Sequence, residues 1–147
     1  MLHPPHGECK VYWCDQACFA VLQGSFNREG VLVMTAAIQQ AWRDAGQPGH
    51  WAHVMDLHLW QGGTQSGFAA SHDLLVWATS HGAHAILRIH TARFLARVTE
   101  NQGVFNGIEV PVVTLNTREQ AWEWLSANGF ECDPRKLLET VTNGPAA

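Results

Sequence analysis

The sequence predicts an α/β domain with a mixed sheet of about five strands. A β-hairpin pattern opens the chain, and the order helix, strand, helix, strand, helix, strand, helix follows it. Consecutive strand-to-helix units require right-handed crossovers, and their strands therefore pair in parallel. We expect a sheet that is parallel apart from the N-terminal hairpin, with four main helices and a short C-terminal helix.

Size and composition indicate one globular domain. The 147 residues are 46% hydrophobic and 15% charged, with a net charge of −4. A chain of this length buries roughly two thirds of its unfolded surface without metals or crosslinks. The acidic balance argues against nucleic acid as a partner.

No stretch of the sequence predicts membrane insertion or export. The longest apolar runs, such as 31–34, are far below the roughly 20 residues that span a bilayer. The start of the chain lacks the cationic and apolar regions of a signal peptide. We therefore expect a cytoplasmic protein with reduced cysteines. Residues 1–8 and 143–147 are expected to be flexible tails around a single domain at 9–142.

The first elements are a hairpin and a helix. Lys10–Cys14 and Cys18–Gln23 are strand-like and are joined around Asp15-Gln16-Ala17. Asn27 is a typical N-cap for the helix that follows. That helix has apolar residues at spacings of three and four, namely Val31, Met34, Ile38, Ala41, Trp42 and Ala45. This face is expected to lie on the sheet.

Three strand-to-helix units follow. The first has a strand at Trp51–Leu59, a glycine hinge at Gly62-Gly63, and a helix from Ser66, its expected cap, to about His81. The second has a strand at 84–89 with Thr91 as helix cap, and the third has a strand at 110–115 with Asn116 or Thr117 as cap. Asp133-Pro134 then predicts a short terminal helix through Leu137, Leu138 and Val141.

Three local motifs occur in order within residues 10–128. They are Gly24-Ser25-Phe26-Asn27 before the first helix, Asp56-Leu57-His58 leading to Thr64-Gln65-Ser66-Gly67-Phe68, and Thr117-Arg118-Glu119-Gln120-Ala121-Trp122. Together with the element order they resemble the STAS (SpoIIAA-like) family. That family includes bacterial anti-sigma-factor antagonists and the cytoplasmic tails of sulfate transporters.

The resemblance implies a non-enzymatic regulatory domain that acts through protein binding. In the family, phosphorylation falls on the first serine of an Asp-Ser-Ser-Gly motif. This chain has Thr64 in place of the aspartate and Gln65 in place of that serine. Glutamine cannot accept a phosphoryl group, which leaves Thr64 and Ser66 as weaker candidates. The chain is most similar to the divergent, uncharacterised bacterial branch of the family.

The turn after the 51–59 strand is the predicted binding site, because ligands of open α/β sheets meet the carboxyl ends of parallel strands. The candidate residues are Trp60, Gln61, Gly62, Gly63, Thr64, Gln65, Ser66, Phe68, Thr91, Arg93 and Asn116. Trp60 and Phe68 would form an apolar pocket, a docking patch or ordinary packing under the loop. The alternative to a protein partner is a small apolar or anionic ligand held at the same strand ends.

No residue pattern predicts an enzyme, a cofactor or a metal site. Ser66, His72 and Asp73 have the residue types of a hydrolase triad, but adjacent helix positions diverge by about 100°. His3, His6 and Cys9 offer metal-ligand types, yet the chain has no Cys-x-x-Cys pair and the two histidines lie on the expected tail.

Cysteines and arginines leave two further alternatives open. Cys14 and Cys18 would face each other across a three-residue hairpin loop, but we interpret both as packed thiols, and Cys132 has no evident mate. Three arginines at 88, 93 and 97, with His90, predict an exposed solvated face or an anion site. A homodimer through the first hairpin or the tryptophan-rich helices is also compatible with the pattern.

Overall fold

The computed structural model describes residues 3–90, 97, 99–136 and 138–143. The strands are β1 (Glu8–Cys14), β2 (Ala17–Phe26), β3 (Trp51–Gly63), β4 (Ala83–Ile89), β5 (Val112–Leu115) and β6 (Leu138–Asn143). The helices are α1 (Arg28–Asp44), α2 (Gln65–Ser80) and α3 (Arg118–Ala127), with a 3-10 turn at Pro134–Lys136. Residues 99–101 are also helical, whereas Thr91 and Arg93 lie outside the described residues.

The sheet has the predicted mixed topology, with one additional strand. Its order is β5-β4-β3-β2-β1-β6. Strand β1 is antiparallel to β2 and β6, while the β2–β3, β3–β4 and β4–β5 pairs are parallel. Parallel strands joined by helical crossovers confirm the predicted α/β class.

The predicted terminal helix is wrong, because Leu138–Asn143 forms strand β6 against β1. The 3-10 turn at Pro134–Lys136 takes up the helix-starting signal of Asp133-Pro134. Beyond it, Thr140, Val141 and Thr142 are β-branched and favour an extended chain. The open edge of β1 supplies hydrogen-bonding partners for that chain, so the sheet has six strands rather than five.

Helices cover both faces of the sheet. On one face, α1 and α2 pack on a core that includes Trp51, Leu57 and Trp60. On the other, Ala121 and Leu125 of α3 pack on Ala52, Val54, Leu87 and their neighbours. The apolar stripe predicted for α1 is confirmed at Val31, Met34, Ile38 and Ala41, which are all buried, whereas Ala45 is the exposed C-cap of the helix.

The hairpin loop is shorter than predicted, and this changes the cysteine geometry. Cys14 is directly opposite Ala17, which leaves the two residues Asp15 and Gln16 in the loop. Asp15 has a φ of 49° there. Cys18 therefore lies opposite Trp13, and the predicted facing of Cys14 and Cys18 is wrong.

The end of β3 is a bulged strand rather than a free glycine hinge. The partners of Val21 and Gln23 are Asp56 and Leu59, and those of Gly24 and Phe26 are Trp60 and Gly63. Strand β3 thus has one extra residue in each interval, and Gly62 in the second has a φ of 96°. Such bulges bend a strand and redirect its side chains. Trp60 consequently packs on the same face as Leu57 despite their odd spacing.

Helix α2 begins at Gln65, and Thr64 rather than Ser66 is its cap. Thr64 has an extended conformation, and its Oγ1 accepts a hydrogen bond from the Gly67 N–H at 3.1 Å. Ser66 lies in the first turn, with its Oγ 3.3 Å from Thr64 Oγ1. The predicted Ser66 cap is wrong because β3 continues to Gly63 and places Thr64 at the turn.

The segment before β1 is in contact with the start of α1. Asn27 Oδ1 accepts hydrogen bonds from the N–H groups of Gly30 at 2.8 Å and His6 at 2.9 Å. Asn27 Nδ2 donates to the Pro4 carbonyl at 2.9 Å. One side chain therefore caps α1 and holds residues 4–6, which the sequence predicted to be a tail.

Asn27→Ala is expected to lower the free energy of unfolding by about 1 to 2 kcal/mol, because α1 loses its cap. It should also expose residues 3–7 to proteolysis. Asn27→Asp is the matched control, since it keeps the capping oxygen and replaces the donor to Pro4 with a carboxylate oxygen. Urea unfolding and limited proteolysis measure the two effects. Equal stability of wild type and Asn27→Ala would contradict the capping role.

Candidate functional site

The aromatic residues of the predicted site are buried. Trp60 and Phe68 are 7% and 8% exposed, and their rings meet edge to face at 6.2 Å. They form packing under the turn, as one of the sequence alternatives predicted. The turn therefore presents no exposed aromatic patch.

The polar residues of the same turn are exposed. Gln61, Thr64, Gln65 and Ser66 all lie at the surface where β3 passes into α2. We refer to residues 61–66 as the turn surface. Its backbone is held to β2, because the Thr64 N–H donates to the Phe26 carbonyl at 3.0 Å. The backbone of the turn surface is thus fixed in position relative to the sheet.

A groove of about 390 Å³ lies beside the turn surface at the carboxyl ends of β2 and β3. It is lined by His6, Ser25, Phe26, Asn27, Gln61, Gly63 and Thr64. Helices α1 and α2 both begin at this groove, at Asn27 and Thr64. The positive ends of two helix dipoles therefore lie beside it, which favours carboxylate or other acidic groups.

A second, smaller space lies inside the domain below Trp60. This cavity has a volume of about 50 Å³. Its walls come from β2, β3, α1, α2 and residues 99–105, and they are mostly apolar, including Leu22, Met34, Trp60, Leu75 and Val104. Ser71, Arg88 and Thr99 supply its polar groups.

Arg88 is a buried structural cation at the wall of this cavity. It is 3% exposed, and its Nη2 donates to Glu100 Oε1 and Thr114 Oγ1, each at 2.8 Å. Its guanidinium lies 4.6 Å from the centre of the Phe105 ring. The interpretation of this stretch as an exposed solvated face is therefore wrong for Arg88. Of the other residues in that predicted cationic stretch, His90 is buried and Arg97 is exposed.

An ion-pair network joins β3 to α3 on the opposite face of the sheet. Asp56 Oδ2 accepts from Arg118 Nε at 2.7 Å, and Asp56 Oδ1 accepts from His58 Nδ1 at 2.8 Å. Burial alone would raise the pKa of the Asp56 carboxyl, but the hydrogen bonds from Arg118 and His58 outweigh it and hold this pKa below its usual value. Asp56 is therefore a carboxylate at neutral pH.

His58 extends this network to Asn116. Its Nε2 lies 3.1 Å from the Asn116 carbonyl. The Asn116 N–H in turn donates to Gln120 Oε1 at 2.8 Å, and Thr117 caps α3 by accepting from the Gln120 N–H at 3.1 Å. Asn116, predicted as a binding residue, thus makes these contacts through its backbone.

The structure brings together the part of the predicted site that is contiguous in sequence. Residues 60–68 lie together on the face of the sheet that α1 and α2 cover. Asn116 is not part of this group, because its carbonyl contacts His58 in the network with Arg118. Thr91 and Arg93 lie outside the described residues. Sequence reasoning used Asp56 and His58 only as a family motif and missed their contact with Arg118. Asp56 is an acidic residue near the carboxyl end of a predicted strand, and this was the sequence signal that could have indicated a functional contact there.

The alternative chemistries lack supporting contacts in the described part of the chain. His72 Nδ1 lies 3.0 Å from the Val104 carbonyl, while Ser66 Oγ neighbours Thr64. Cys9 is buried, and burial raises the pKa of its thiol to about 12. Within residues 3–90, 97, 99–136 and 138–143, no three His, Cys, Asp or Glu side chains are grouped for metal binding. Over the same residues, no helix is both long and apolar enough to cross a membrane.

Comparison with solved structures identifies the fold. An uncharacterised DUF3478-family protein with a SpoIIAA-like fold from Shewanella loihica PV-4 superimposes with a TM-score of 0.61. The alignment has 15% sequence identity and covers 85% of this chain and 98% of that one. No protein-family model matches the sequence, and no curated protein does. The chain thus has a SpoIIAA-like fold, which confirms the architecture expected from the STAS resemblance.

Proposed function

We propose that the chain is a non-enzymatic regulatory domain that binds a protein partner on the turn surface. The observation that supports this function best is the groove of about 390 Å³ beside exposed Gln61 and Thr64. The backbone of the turn surface is hydrogen-bonded to β2, so little conformational entropy is lost when a partner binds. The STAS resemblance independently points to protein binding at this turn.

The groove also indicates the chemistry of the partner segment. The starts of α1 and α2 favour negative charge, while Ser25, Asn27 and Gln61 provide polar contacts. Both aromatic rings are under the surface, whereas Leu59, which lies just before the turn surface, is 58% exposed and offers an apolar contact. An acidic segment of the partner fits these features.

The test is native mass spectrometry of the protein purified from its own host. Gln61→Glu combined with Gln65→Glu adds two negative charges at exposed positions of the turn surface. We expect the amount of co-purified partner to fall at least about tenfold, equivalent to about 1.4 kcal/mol. Gln40→Glu, on the exposed side of α1, is the control and should retain the partner. Equal recovery with all three proteins would contradict the proposal.

A second candidate function is the capture of a small apolar molecule in the cavity below Trp60. Its mostly apolar walls, with Arg88 and Thr99 among the lining residues, favour it. A volume of about 50 Å³ accommodates only a few heavy atoms, whereas ordinary ligand pockets are about 300 to 1,000 Å³. The protein partner is therefore the function that the geometry supports best.

Filling the cavity separates the two functions. Val104→Phe places additional atoms at the cavity wall, while Val33→Phe changes a residue of α1 away from that wall. If a small molecule is bound, extraction and mass analysis should recover it from wild type and Val33→Phe and not from Val104→Phe. Recovery from all three, or from none, would exclude the cavity as the binding site.

A further inference from the structure

Two cysteines from distant parts of the chain meet at the loop end of the first hairpin. Segment 131–133 lies alongside residues 14–16. The Gln16 N–H donates to the Glu131 carbonyl at 2.9 Å, and the Asp133 N–H donates to Asp15 Oδ2 at 3.2 Å. These bonds flank Cys132 on both sides and fix it next to Cys14.

The Cys14 thiol points into the same segment. Its Sγ donates to the Asp133 carbonyl at 3.0 Å, one residue from Cys132, and the two thiols are close enough to affect each other's pKa. Both residues are free thiols in the structure. The Cys14–Cys132 pair thus replaces the Cys14–Cys18 pair that the sequence suggested.

The two cysteine residues differ in their exposure to solvent. Cys14 is 2% exposed, whereas Cys132 is partly exposed and lines a groove of about 550 Å³. That groove also contains Asp15, Ser126 and Lys136. A small disulfide molecule in the groove would therefore reach Cys132 first.

We propose that Cys14 and Cys132 are a site of reversible disulfide formation, with a low-molecular-weight disulfide such as oxidised glutathione as the oxidant. The Cys132 thiolate attacks one sulfur of that disulfide and releases one thiolate, which leaves a mixed disulfide on Cys132. The Cys14 thiolate then attacks Cys132 Sγ and releases the second thiolate. The protein loses two electrons and two protons, and the oxidant is reduced to two thiols.

The crosslink would tie the first hairpin to the segment that leads into β6. It would close a loop that contains most of the chain, which is the case in which a disulfide restricts the unfolded state most. Burial raises the pKa of both thiols, so the thiolate fraction is small at neutral pH. Bond formation should therefore be slow at neutral pH and faster in alkaline buffer. This site is separate from the turn surface, and its test does not depend on the proposed partner.

The experiment treats the full chain with oxidised glutathione or with dithiothreitol, followed by alkylation and peptide mapping. We expect a peptide pair linked through Cys14 and Cys132, and a melting temperature raised by roughly 5 to 15 °C relative to the reduced protein. Cys18→Ala should keep the crosslink. Cys14→Ala should stop at a glutathione adduct on Cys132, and Cys132→Ser should lose both.

Three results would overturn the proposal. They are a crosslink that includes Cys18, a glutathione adduct that persists on Cys132 in the wild type, and the absence of any reaction in alkaline buffer. Circular dichroism of the reduced variants establishes that each is folded. Cys132→Ser changes a partly exposed residue and remains informative if Cys14→Ala does not fold.

Discussion

Acidification from about pH 7 to pH 4 is expected to reduce the free energy of unfolding by about 3 kcal/mol through His53 alone. His53 is 1% exposed, and neither ring nitrogen has a hydrogen-bond partner within the described residues. Burial lowers its pKa from 6.5 to about 4. The unfolded chain therefore binds a proton below pH 6.5 that the native state accepts only near pH 4. The stabilisation is complete above the higher pKa and is lost as the pH falls between the two values.

His90 is expected to act in the same direction. It is 4% exposed, and burial, together with the nearby charges of Arg88 and His58, lowers its pKa to about 4. The combined acid sensitivity should therefore exceed that of His53 alone, and removal of His53 should abolish only part of it.

Urea unfolding between about pH 7 and pH 4 measures this dependence. His53→Leu should flatten the curve. It should also stabilise the protein at neutral pH, since it replaces a buried polar ring that has no bonded partner in the described structure. His3→Leu, at an exposed position, is the control and should retain the wild-type slope. A stability that is independent of pH in the wild type, or the same slope in His53→Leu, would show that this assignment is wrong.

Gly63→Ala is expected to lower the free energy of unfolding by about 2 to 3 kcal/mol and to distort the turn surface. A Cβ at this position would lie 2.6 Å from the Phe26 carbonyl oxygen. That atom belongs to the backbone of β2, and it accepts the Thr64 N–H that holds the turn. The ends of β2 and β3 must therefore separate to admit one methyl group.

Gly49→Ala provides the matched control. A Cβ at Gly49 would have no neighbour within 4 Å. This change should leave stability within about 0.5 kcal/mol of wild type. Chemical denaturation of the three proteins measures the difference. Equal stability of Gly63→Ala and Gly49→Ala would mean that the close approach of β2 to β3 is not required.

Local sequence patterns predicted the parts of the fold that local physics determines. The hairpin, the apolar stripe of α1 and the strand-to-helix units each depend on residues a few positions apart. The Asn27 cap is equally local, because its acceptor and the Gly30 N–H belong to one turn of chain.

Pairing across the sheet explains most of the errors. Strand β6 depends on the open edge of β1, which lies far away in sequence. The bulges in β3 arise from its register with β2, and they determine both the burial of Trp60 and the capping by Thr64. The hydrophobic pattern of residues 51–66 alone does not determine the register of β3 with β2.

The candidate site shows the same division. Residues 60–66 were predicted together because they are contiguous and follow a strand. The contact of Asp56 with Arg118 was not predicted, because it forms only when α3 packs beside the end of β3. Arg88 was misassigned for the same reason, since Glu100, Thr114 and Phe105 reach it from two other segments.

Site-specific photocrosslinking in the protein's own host tests the docking of a protein partner on the turn surface most directly. A photoreactive residue is placed at the exposed Gln65 in one protein and at Gln40 of α1 in the other. The account predicts a discrete protein adduct from position 65, its loss when Gln61→Glu is added, and no such adduct from position 40. An adduct of equal yield from both positions, or one from position 40 alone, would contradict binding at the turn surface.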